Sequence, residues 1–177
     1  MTVDADFDDD GEDDLSRGEL NDLGDDFSTA IVANDGADFS DYGKPVTGTA
    51  SLSEKTAVSV VSQFVGGVYG SDINWGDFSR IEAHRDSWFS GNYPGCGGNA
   101  VIACAQITPP DRWVSITGRR HSFFAGSQYS NFRNLAVILT HESLHFQVGT
   151  LRNDPAGHAA LQRRAQRLVR TRLGSAF

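Results

Sequence analysis

Residues 141–145 read His141-Glu142-Ser143-Leu144-His145, two histidines four apart with a glutamate directly after the first. No other feature constrains the fold of this chain as strongly. Residues at i and i+4 share a face only on a helix, where their Cβ atoms lie about 5–6 Å apart. At that separation two imidazole nitrogens reach one Zn2+ at about 2.0–2.1 Å each. Glu142 then projects one residue round the helix, on the open side of the metal, where it can take a proton from an activated water. Phe132, Leu135, Ala136, Ile138, Leu139 and Phe146 surround the motif, and Ile138, His141 and His145 fall on one stripe. An inward-facing helix follows. A buried histidine without a partner is costly, and a metal ion is a natural partner. An exposed helix that happens to carry two histidines would leave the apolar flanks unexplained.

A catalytic zinc usually has three protein ligands and one open position. No glutamate follows Glu142, so a third ligand of that type from a later helix is excluded. The longer pattern H-E-x-x-H-x-x-G-x-x-H fails too, because Val148 stands at its glycine and Leu151 at its last histidine. Asp154 and His158 remain. Gly149 can end the first helix as a left-handed residue. Asp154-Pro155 reads as the N-cap and first residue of a second helix, running from about Pro155 to Leu173. His158 lies in its first turn, on a stripe with Leu161, Ala165 and Leu168 that should face the first helix. Since Asp154 already has a capping role, His158 is the favoured third ligand. Asp154 is the alternative ligand, and a first-turn histidine packed against the loop is the structural alternative for His158. Three neutral imidazoles would leave a zinc site at a net +2, drawing the pKa of its water towards about 7.

The stretch Leu139-Thr140-His141-Glu142-Ser143-Leu144-His145, with Gly157-His158-Ala159-Ala160-Leu161 after the turn, resembles the zincin metallopeptidases. It is most similar to their SprT-like branch, which pairs this helix with a third histidine near the following one. The resemblance covers roughly residues 100–173 and is specific at His141, Glu142, His145 and His158. It implies a zinc-dependent endopeptidase acting on protein or peptide substrates, with a strand beside the cleft lining the substrate. No zinc-ribbon cysteines and no DNA-binding tail follow, so a nucleic-acid partner is not expected. Two other functions compete: an inactive zincin fold kept as a binding or structural module, and a calcium-responsive binding protein.

Charge divides the chain. Residues 1–42 hold fifteen acidic side chains and one basic one, Arg17, whereas residues 43–177 carry a net charge of +6. The reading is an acidic arm over residues 1–45 and a metallopeptidase domain over 46–177. Within the arm, Asp8, Asp10, Glu12 and Glu19 fall at positions 1, 3, 5 and 12 of an EF-hand-like loop and can offer oxygens to Ca2+. Asp13 occupies the position where that loop needs glycine, so a plain acidic arm is the alternative. Arg163, Arg164, Arg167, Arg170 and Arg172 follow Pro155 with no acid among them. They read as a solvated helix face or as a docking surface for the arm.

Cys96 and Cys104 either form a disulfide or pack as reduced thiols. No run of 18 apolar residues spans a membrane, and no leader pattern opens the chain. A cytoplasmic protein is expected if the chain is complete. An extracellular one is expected if a leader was removed and the cysteines are oxidised.

Between the arm and the motif the sequence predicts an α+β domain. Ser51-Leu52-Ser53-Glu54 reads as a capping box opening a helix from Leu52 to Phe64 or a little beyond, closed by Gly66-Gly67. Strands are expected at Arg80–His84, Ala100–Ile107 and Trp113–Thr117, with Pro109-Pro110 breaking the chain before the last. The middle strand is apolar almost throughout and should be buried on both faces. His84, Arg120, His121 and Tyr129 can stabilise an oxyanion in principle, but a role outside catalysis is the expectation for each.

Overall fold

The computed structural model describes residues 40–85, 102–117, 132–151 and 153–173. The acidic segment with Asp8, Asp10, Glu12 and Glu19, and with it the calcium reading, lies outside the described residues. So do Cys96, Arg120, His121 and Tyr129.

The described elements are β1 (Val46–Thr47), α1 (Leu52–Tyr69), β2 (Arg80–His84), β3 (Ala103–Gln106), β4 (Trp113–Thr117), α2 (Phe132–Val148) and α3 (Pro155–Leu173). They form an α+β domain in which three helices pack with a four-stranded mixed sheet of order β1-β2-β4-β3. β1, β2 and β4 run parallel, and β3 pairs antiparallel with β4, placing Ala103 opposite Ile116 and Ala105 opposite Val114. Ile81 and Ala83 of β2 and Val114 and Ile116 of β4 share one face and are fully buried on the core, and β4 is covered on its other face as well, since Ser115 and Thr117 are also fully buried. β3 lies at the sheet edge, yet Ala103, Cys104 and Ala105 are fully buried, and α2 packs against this strand. Cys104 is disulfide-bonded, and Cys96 is the only other cysteine in the sequence.

α1 opens on the expected capping box. The Ser51 hydroxyl accepts from Glu54 N–H at 3.3 Å, and the Glu54 carboxylate accepts from Ser51 N–H at 2.7 Å. Its end differs from the expectation. Gly66 and Gly67 do not close the helix, which continues to Tyr69. The indole N–H of Trp75 donates to the Tyr42 carbonyl at 2.6 Å. A Cβ on Gly66 would collide with both of those groups. Gly66 is thus a point of close approach inside a helix, where a larger residue has no room.

α2 is the central element, touching α1, α3, β3 and β4. Every residue from Leu135 to His145 is buried, so the helix has no solvent face over these three turns. Phe146 stacks on Phe78 with ring centroids 5.3 Å apart, which ties the end of the motif to the loop before β2. Among the described residues no helix is long and apolar enough to cross a membrane.

Candidate metal centre

Thr140, His141, Glu142, Ser143 and His145 are all fully buried in α2. Five polar side chains on a wholly enclosed stretch of helix are expensive unless they are partnered. Only the two histidines find partners, whereas the side-chain oxygens of Thr140, Glu142 and Ser143 have none. Nε2 of His141 lies 3.1 Å from Nε2 of His145 and 3.1 Å from Nε2 of His158. One ligating nitrogen from each of the three histidines falls within 4.8 Å of the others. Two nitrogens bound to one tetrahedral zinc at about 2.05 Å each stand about 3.3 Å apart. The two closest pairs here are near that spacing, so the donor set fits a metal ion.

The backbone explains how residues 17 positions apart converge. Gly149 adopts φ +75, and its N–H donates to His145 O at 2.8 Å, so α2 stops just after the motif. The carbonyl of the same glycine lies 3.0 Å from Nδ1 of His145. A carbonyl can only accept, so Nδ1 carries the hydrogen and Nε2 of His145 presents its lone pair to the cluster. Asp154 then opens α3, its Oδ1 accepting from Gly157 N–H at 2.9 Å. A Cβ on Gly157 would strike the Asp154 carboxylate, so glycine there leaves room for the cap. Asp154 acts at the helix start, outside the three-histidine group. His158, one turn in, reaches His141.

Burial sets the electrostatics. Desolvation, followed by the neighbouring His145 and His158, holds His141 well below the usual histidine pKa. Desolvation likewise lowers His145 to about 4. Neutral imidazoles are the form that binds a metal. Glu142 is pushed the other way, well above the ordinary carboxylate range, chiefly by desolvation. The Ala105 backbone N–H of β3 offsets part of this, without closing a full hydrogen bond, since neither carboxylate oxygen has a partner.

Of the oxyanion candidates, His84 alone is described. Its Nδ1 lies 3.2 Å from the Thr49 N–H and its Nε2 3.1 Å from a Glu82 oxygen. Both ring nitrogens are engaged and His84 is not in the metal-ligating group. The sequence reading passed over Gln162, whose buried amide lies beside His141. The one hint in the sequence is its place four residues after His158 on the same helix, which does not single out an amide.

No protein-family model, curated protein or solved structure matches this chain.

Proposed function

We propose that the chain is a zinc-dependent endopeptidase of zincin type. The observation that carries this reading is Glu142, a carboxyl group fully buried and without a hydrogen-bond partner, next along α2 from a histidine of the cluster. A metal kept for structure alone needs no such group, and its ligand shell is normally closed by four protein ligands. A zinc ion held by His141, His145 and His158 would supply a Lewis acid for the scissile carbonyl and acidify a water towards pKa about 7.

The remaining work falls to the chain. Glu142 takes the proton of the attacking water and passes it to the leaving amine. His145 is kept in the metal-binding tautomer by the Gly149 carbonyl. β3 runs at the sheet edge with Ala105 close to the Glu142 carboxylate.

Peptide-library cleavage by the wild type and Glu142→Gln, with metal analysis of both, tests this. The wild type should hold zinc and cleave. The variant should hold zinc and lose about 10²–10⁴ in rate, the usual contribution of a general base. Zinc without turnover in the wild type would instead support a binding module, and wild-type rates in the variant would remove Glu142 from the mechanism.

A further inference from the structure

We propose that Gln162 is the positioning partner of His141, its amide oxygen accepting the Nδ1–H of that ring when Nε2 binds a metal ion. The assignment rests on the three-histidine group being a metal centre, and it concerns what holds one ligand in place.

The two histidines of the motif are supported differently. His145 has the Gly149 carbonyl on its Nδ1. Nδ1 of His141 is buried and closes no hydrogen bond. A ring that gives Nε2 to a metal must carry its hydrogen on Nδ1, and that buried N–H needs an acceptor. Gln162 is the side chain placed to supply one. It stands one helical turn beyond His158 on α3, so the residue that brings the third ligand and the residue that steadies the first share a face. Both polar atoms of its amide are buried and without a partner, and the amide lies near enough to act on the His141 ring.

An amide can serve this position in either tautomer of the ring. Nε2 of His145 presents a lone pair, and Nε2 of His141 lies 3.1 Å from it. Without a metal, the hydrogen of His141 therefore belongs on Nε2, leaving Nδ1 as an acceptor. Metal binding moves the hydrogen to Nδ1. A glutamine can donate through its NH₂ in the first state and, turned over, accept through its oxygen in the second. It can therefore serve the ring before and after the metal arrives.

The test is zinc affinity, measured by chelator competition on the full chain for the wild type, Gln162→Leu and Gln162→Glu, each checked for fold by circular dichroism. Loss of a partner to a metal-bound histidine typically costs 10–100-fold in affinity. Gln162→Leu should weaken zinc by that factor, and Gln162→Glu, which keeps an acceptor, should bind at least as tightly as the wild type. In the zinc-loaded protein, NMR should show the His141 Nδ1–H in slow exchange in the wild type and Gln162→Glu, and in fast exchange in Gln162→Leu. Unchanged affinity in Gln162→Leu, or equal weakening in both variants, would overturn the assignment while leaving the metal centre intact. A wild type that binds no zinc would overturn the centre itself and the assignment with it.

Discussion

His158 Nε2 lies 3.1 Å from His141 Nε2 although 17 positions and a change of helix separate the two residues. The contact depends on two local devices, the left-handed Gly149 that ends α2 and the Asp154 cap that starts α3. Ligand and cap therefore make separable contributions. His158→Ala should lower zinc affinity strongly, while Asp154→Ala should cost about 0.5–2 kcal/mol of stability through the lost cap and leave affinity much less changed. Chelator competition and thermal unfolding on both variants check this. Greater zinc loss in Asp154→Ala would make the aspartate the ligand.

Glu142 is held above its ordinary proton affinity by burial, so in the metal-free protein its charged form opposes folding. A carboxyl whose folded pKa is raised favours the fold below its unfolded value, near 4.5, and withdraws that support as pH rises towards the folded value. Glu142→Gln cannot ionise. The metal-free variant should gain in melting temperature over the wild type, and the gain should widen as pH increases from about 4.5. A gap that stays constant with pH would mean that the carboxyl is not desolvated.

His84 shifts in the opposite sense. Burial holds its pKa below 6.5, with the Glu82 carboxylate offsetting only part of the effect. In the fold its Nδ1 accepts from Thr49 N–H, a bond that the protonated ring cannot make. Its contribution is complete above about pH 6.5 and is lost as pH falls through the lowered folded value. His84→Gln should therefore show a shallower acid-side decline in melting temperature than the wild type. Parallel decline of the two proteins below pH 6.5 would remove His84 as a source of acid sensitivity.

Gly66→Ala should destabilise the protein even though alanine is worth about 1 kcal/mol more than glycine within a helix. The added methyl meets the Trp75 indole and the Tyr42 carbonyl, and overpacking of this kind costs about 1–3 kcal/mol. Urea denaturation would show the sign, and a more stable variant would mean that the loop before β2 can retreat.

The same glycine marks a limit of the sequence. The start of α1, the turn after His145 and the start of α3 were legible, because each depends on neighbouring residues: Ser51 with Glu54, Gly149, and Asp154 with Pro155. The strands Arg80–His84 and Trp113–Thr117 were legible from their residue pattern. The run of α1 through Gly66 and Gly67 was not, since Gly66 answers to the close approach of Trp75 and Tyr42, which are remote from it in sequence. Nor was β1, only two residues long, or the position of β3 at the edge, because an apolar run reads alike in the centre and at a covered margin. The convergence of His158 with the motif could be anticipated from an inward stripe. Gln162 could not be picked out by residue type, because an amide carries no ligand signature and its role depends on which ring it meets.

The hydroxyl of Tyr69 donates to the Val169 carbonyl at 3.3 Å, joining the end of α1 to α3 across 100 residues. Synthesis proceeds from the N-terminus, and domains tend to fold as units. A growing chain that stops at Val148 already has His141 and His145 but neither His158 nor the helix that Tyr69 fastens. Such a chain holds two imidazoles where the finished one holds three. Any metal that needs all three histidines would therefore be captured only after α3 has been made and docked, so that a chain halted earlier would not be locked around an ion in an immature shape.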